Sequence, residues 1–178
     1  MTQPPSPPAA FDGLKSQIEA LSAASSVGIR AGHLNIAQDI WLSCDPQGQA
    51  EMALSPDSQG IRLSWKAADS GRWAALGMGV PIDVLTRGRY LGVRLEVQVE
   101  APISLLPSLR YHFRDGGGMQ DVATPAPVLL PSGKRVHLAH IPIERALVER
   151  AHGAEVNFFL HTDHGALLMH SLDILLMQ

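Results

Sequence analysis

The sequence predicts a mainly β protein: an antiparallel β-sandwich of the jelly-roll kind with one N-terminal helix. Three observations predict it. Apolar and polar residues alternate with a period of two in several stretches after about residue 28, and a single stretch with helical period precedes them. Turn-forming residues separate the alternating stretches, with hardly any helix between them, which favours an antiparallel sandwich over a parallel α/β sheet. The chain has 178 residues with 16 glycines and 13 prolines, more breakers than a helical bundle carries. That length suits one ordinary domain, which buries roughly 70% of its unfolded surface and needs no metal or disulfide to fold. A composition 46% hydrophobic and 17% charged excludes a disordered chain.

The first element is a proline-rich tail at 1–10, read as extended. It has no basic start and no apolar run, so the expectation is synthesis as a soluble cytoplasmic chain without a signal peptide, its final location open. The helix is expected at 11–27, where Phe11, Leu14, Ile18 and Leu21 fall on one face with Asp12 as a cap. That stripe either packs on its own domain or joins copies of the chain, since its spacing is also that of two heptads.

The β domain is expected at 28–178. Leu91, Val93, Leu95, Val97 and Val99 alternate with Arg94, Glu96 and Gln98; Ile61, Leu63 and Trp65 alternate with Arg62, Ser64 and Lys66; Leu109, Tyr111 and Phe113 alternate with Arg110, His112 and Arg114. VNFFLH and ALLMHSLDILLM form two more strands around a turn at 162–165. Weaker strands are expected at 34–42, 49–55, 72–78, 120–123, 127–130 and 134–141, with a helical turn or two near 143–151.

The chemistry that can be excluded is broad. A net charge of -3 with 14 Lys and Arg carries no nucleic-acid footprint, and no run is long enough to span a membrane as a helix. There is no Gly-x-Ser-x-Gly elbow, and Gly116-Gly117-Gly118 leads to no phosphate-binding loop. Cys44, the single cysteine, forms no intramolecular disulfide and reads as an ordinary thiol. Glu96, Glu144, Asp163 and Asp173 are scattered, so no acid–base pair announces an enzyme. His161, Asp163, His164 and His170 gather near the last turn, either as a metal site or as a solvated hairpin tip.

The polar strand faces are the candidate binding surface: Arg94, Glu96 and Gln98 from one strand, Arg110, His112 and Arg114 from another. If the two strands share a sheet, these residues form one basic surface whose guanidinium forks suit carboxylates. Trp65 is expected in the core. Trp41 and Trp73 are less constrained, and either can serve as an exposed stacking platform.

The segments GIRLSWKA, RWAALGM, RGRYLGVRLEVQVEA, SLRYHFRDG, KRVHLAHIPI and AEVNFFLHT with LLMHSLDILLM resemble, in that order, carbohydrate-binding modules of the galactose-binding-like jelly-roll superfamily. The resemblance covers about two-thirds of the chain. It implies non-catalytic glycan binding, no cofactor beyond a structural calcium, and Asp69 and Asp173 as ligands for that ion. With only nine Phe, Trp and Tyr residues, an acidic polysaccharide held by arginine is expected over a neutral glucan. The alternative is a structural subunit of a virion or appendage, oligomerised through the N-terminal helix.

Overall fold

The computed structural model describes residues 11–66, 73–114 and 116–178. Helix α1 (Asp12–Leu21) opens the described chain. Strands β1 (Val27–Ile29), β2 (Gly32–Asn35), β3 (Ile40–Cys44), β4 (Glu51–Asp57), β5 (Gly60–Lys66) and β6 (Ala74–Val80) follow. After a single turn of helix, α2 (Ile82–Leu85), come β7 (Tyr90–Val99), β8 (Ile103–Phe113), β9 (Met119–Ala123), β10 (Val128–Leu130) and β11 (Gly133–Pro142). A second short helix, α3 (Arg145–Arg150), leads into β12 (Ala151–Leu160) and β13 (His164–Met177).

The strands form two antiparallel sheets. The first has the order β1-β4-β5-β13-β7-β11; the second has β10-β8-β12-β6-β3-β2, with β9 also paired to β8. Their inner faces make one core. Leu91, Val93, Leu95, Val97 and Val99 of β7 and Leu109, Tyr111 and Phe113 of β8 are all buried in it, so the alternation assigns the faces as expected. Trp65 is buried too, and its indole N–H donates to the Thr162 carbonyl at 2.9 Å.

Two sequence expectations change in three dimensions. The stretch 34–42 is not one strand. The N–H groups of Ile36 and Ala37 both donate to the Ile40 carbonyl, and this turn separates β2 from β3. The last two strands, β12 and β13, form no hairpin, because 161–163 carries the chain from the second sheet to the first. Inside β13 the register shifts between Met169 and Ser171, leaving His170 as the extra residue of a bulge. Gly60 abuts that bulge at φ +148, and a Cβ there would strike the Met169 carbonyl oxygen.

Helix α1 forms because its apolar residues recur on one face, and that face is covered within the chain. Phe11, Leu14, Ile18 and Leu21 are all buried in the common core. The helix lies against the part of β13 beyond Met169, where β5 no longer pairs. Two polar contacts fix it. Lys15 meets Asp173 of the first sheet at 3.1 Å. Gln17 exchanges two 2.9 Å hydrogen bonds with Asp39, which sits at the entrance to β3. The stripe that a coiled coil would use is thus occupied, which removes the support for assembly through this helix.

Ile18→Ala and Leu95→Ala should each destabilise the protein by about 2–5 kcal/mol, the range for truncating a buried aliphatic side chain. Chemical denaturation of the full chain measures this. A loss under about 1 kcal/mol at Ile18 would make α1 peripheral to the core.

Candidate functional site

The candidate binding residues divide between two surfaces. β7 belongs to the first sheet and β8 to the second, so their outward side chains lie on opposite sides of the sandwich. Arg94, Glu96 and Gln98 therefore do not join Arg110, His112 and Arg114, and the single basic surface expected from the sequence does not exist. The cause is the short link at 100–102, which carries the chain across the core instead of turning it back along the same sheet.

On the first sheet, the outer face is occupied by ion pairs. Arg94 meets Asp173 at 3.1 Å and lies 3.9 Å from Glu96, which in turn meets Lys134 at 2.9 Å. The Lys134 ammonium holds the Glu96 carboxyl below the usual carboxylate range. Gln98 is exposed, opposite Lys134 in the ladder. Asp173 is flanked by two cations, Lys15 and Arg94, each at 3.1 Å. These two cations pair with the carboxylate that the resemblance implies as a calcium ligand. Asp69, the other ligand implied by the resemblance, lies outside the described residues.

Of the histidine cluster, His161, Asp163 and His164 border one pocket and His170 lies apart from them. His170 sits in the bulge with Nδ1 2.8 Å from the Gln59 carbonyl oxygen, while His164 is opposite Lys66 near the start of β13. Among the described residues no three His, Cys, Asp or Glu side chains are grouped to hold a metal.

The second sheet presents a different outer face. Outward residues of adjacent strands meet in rows set by the ladder. Trp41 of β3 is opposite Gly77 of β6, Gly77 opposite Asn157 of β12, and Asn157 opposite Ser108 of β8. One step along, Gly79, Glu155, Arg110 and Asp121 form the next row. Gly77 has a local reason to be glycine, because the space its Cβ would take holds the pyrrole edge of the Trp41 indole and the Asn157 amide oxygen. The indole thus lies across bare backbone, half-buried, with the His33 ring 5.5 Å away. Phe159, further along β12, is half-buried beneath the Arg110 guanidinium, 5.8 Å from its ring centre.

Polar groups surround these rings. Asn157 is only 3% exposed, and its amide donates to Glu155 at 2.9 Å. His112 Nε2 lies 3.2 Å from the other oxygen of Glu155. Arg110 makes a bidentate pair with Asp121 at 2.7 and 2.8 Å and lies 3.6 Å from Glu155. The Asp121 hydrogen bonds hold the Arg110 pKa above its ordinary value, against the burial that lowers it. The guanidinium fork expected to face a ligand carboxylate is already filled by one from the protein.

Trp73 is 40% exposed and immediately precedes β6, in the same alternation as Ala75, Gly77 and Gly79. Arg114 is exposed just past the end of β8. Of the sequence-predicted site, the second sheet thus gathers Arg110 and His112 at its centre, with Trp73 and Arg114 at strand ends. Sequence reasoning missed Glu155, Asn157, Phe159 and Asp121. The first three could be found by extending the alternation of Val156, Phe158 and Leu160 to the opposite face of the same strand. The small outward residues of AALGMGV were a further signal.

The geometry can hold a hydroxyl-rich ring: the Trp41 indole toward one edge of the sheet, with carboxylate, amide, imidazole and guanidinium groups of β12 and β8 to one side of it. No family model matches the sequence, and no curated protein matches it significantly. Solved structures do match. One is the CBM22-1 xylan-binding domain from Paenibacillus barcinonensis Xyn10C, with a TM-score of 0.52 and 13% identity, covering 86% of this chain and 93% of that one. Another is the family 11 carbohydrate-binding module from Clostridium thermocellum, solved with a β-1,3-1,4-mixed-linked tetrasaccharide. It gives a TM-score of 0.54 at 7% identity, covering 86% of this chain and 98% of that one. The CBM22-2 xylan-binding domain of the same Xyn10C gives 0.51 and 14%, covering 80% and 94%. The fold is therefore a two-sheet β-sandwich, and in particular the jelly roll seen in carbohydrate-binding modules.

Cys44 lies in the core on the inner side of this sheet. It is fully buried, and burial pushes its thiol up to about 11 from the ordinary thiol range near 9.0. The unfolded thiol ionises first as pH rises, so this contribution is intact below pH about 9 and is lost as pH climbs through about 11. Denaturation midpoints should fall between about pH 9 and pH 11, and Cys44→Ala should flatten that part of the curve. An identical alkaline slope in the variant would assign the loss to other groups.

Proposed function

We propose that this chain is a non-catalytic carbohydrate-binding module whose ligand lies on the outer face of the second sheet, with Trp41 as the stacking surface. The observation that carries this reading is the Trp41 indole laid across the side-chain-free Gly77 backbone, with Asn157, Glu155, Arg110 and His112 beside it. Sugar rings bind through apolar C–H faces and rims of hydroxyls. The half-buried indole serves the first, and planar polar groups serve the second. The fold likeness supports the class: one similar structure is a xylan-binding domain and another was solved with a mixed-linked tetrasaccharide.

The charges favour a neutral glycan over an acidic one. Arg110 is matched by Asp121 and Glu155, two carboxylates around one guanidinium. A uronate would have to displace Asp121 and would approach a face that already carries negative charge. The acidic-polysaccharide expectation required free arginine forks, and Arg94 and Arg110 both have carboxylate partners.

Affinity electrophoresis in gels containing xylan, mixed-linkage β-glucan or polygalacturonate, followed by calorimetry with soluble oligosaccharides, tests the proposal. One of the neutral glycans should retard the protein. Trp41→Ala should weaken that binding by at least about tenfold, comparable to losing an aromatic contact and its buried area. Binding should also change little between low and high salt, because no net ion pair forms. A preference for polygalacturonate, or wild-type affinity in Trp41→Ala, would overturn this assignment.

A further inference from the structure

Helix α1 borders the second sheet where its outer face ends, and a groove of about 430 Å³ lies between them. Leu14, Gln17, Asp39, Gly79, His152 and Gly153 are among the residues that line it. On β6, Gly79 is two residues beyond Gly77, so the groove begins about 6.6 Å along the strand from the Trp41 indole. It adjoins the polar row as well: Gly79 is opposite Glu155, Gly153 is opposite His112, and the His112 and His152 rings are 6.4 Å apart.

Two glycines on the walls of this groove leave open space, Gly153 beside the register shift that makes His152 the extra residue of a bulge in β12. Gly13 lies in the first turn of α1 and Gly153 near the start of β12, and neither has a positive φ. A Cβ at either position would meet nothing within 4 Å. This differs from Gly60 and Gly77, whose missing side chains make room for neighbouring protein atoms. Glycine in a strand marks a bulge or a place where a ligand or another backbone approaches closely, and the bulge here opens directly onto the groove. What Gly13 and Gly153 leave behind is open volume beside the platform. Asp39 stands in that space, with Oδ2 accepting from Gln17 and Oδ1 turned toward Gly79.

We propose that the groove between α1 and the adjoining ends of β6 and β12 is a second sugar subsite, adjacent to Trp41, and that helix α1 forms its wall. This rests on the glycan reading of the platform and extends it: the site takes an oligosaccharide that reaches from the indole to the helix. The Gln17–Asp39 pair holds the helix in place and presents the Asp39 carboxylate to a hydroxyl of the outer sugar. Gly13 and Gly153 give the ring room.

The test uses the full chain and calorimetry with two probes, cellobiose and a β-1,3-1,4-mixed-linked glucan tetrasaccharide. A second pair, xylobiose and xylotetraose, is measured in parallel. Gly13→Leu and Gly153→Leu project into open space from opposite walls, and thermal melts confirm that both variants fold. Each should lower affinity for the tetrasaccharide about tenfold, equivalent to one or two lost hydrogen bonds, and leave the disaccharide unchanged. Trp41→Ala should weaken both lengths. Wild-type tetrasaccharide affinity in both leucine variants, with Trp41→Ala still impaired, would remove the subsite and leave the platform standing. Equal losses for di- and tetrasaccharide in the leucine variants would also overturn it, since the groove would then not be a separate subsite. No binding of any probe by the wild-type protein would remove platform and subsite together.

Discussion

The two sheets are held together by burial of their inner faces, and the rest of the molecule is arranged around that contact. Leucine, valine and aromatic side chains from β7 and β8 meet in a core shared with β3, β5, β12, β13 and α1. Each buried aliphatic side chain contributes about 1.5–3 kcal/mol of transfer free energy, and dozens are needed to offset the entropy of ordering the chain. Because side chains alternate along a strand, committing one face to the core fixes the other to the outside. The polar residues of the strands are therefore confined to two outer faces, and the sheet to which a strand belongs decides which face they occupy.

Those two faces behave differently. On the first sheet, Lys15, Asp173, Arg94, Glu96 and Lys134 form a chain of ion pairs in which each charge has an opposite neighbour. Half-exposed pairs of this kind add little stability, but they leave few unmatched groups to recognise a ligand. On the second sheet the charges are also matched, yet they surround an indole and a strand whose outward positions are alanine and glycine. Bare backbone allows the ring to lie low, and the polar groups of β12 and β8 rise beside it. Helix α1 links the two faces, since Lys15 contacts the first sheet and Gln17 the entrance to β3.

The glycines show how far local stability yields to shape. Gly60 and Gly77 are needed because other protein atoms fill the space a side chain would take. At Gly13 and Gly153 no protein atom fills that space, and Gly153 follows the bulge at His152. Both leave open volume between α1 and the second sheet, the space in which the second subsite is proposed.

Sequence patterns determined a good deal by themselves. Alternation over Leu91–Val99 and over Leu109–Phe113, and helical spacing over Phe11–Leu21, identified which residues are buried, and composition excluded a disordered chain. These are local properties, set by the geometry of a strand or a helix within a few residues. Tertiary structure alone decided that β7 and β8 lie in different sheets, that β12 and β13 do not pair, and that Trp41 lies over Gly77. It also decided that α1 packs within its own chain and that Asp121 fills the Arg110 fork. Each depends on residues distant in sequence being brought together. A three-residue link looks the same whether it turns back along one sheet or crosses the core, and only the packing of the whole sandwich distinguishes the two.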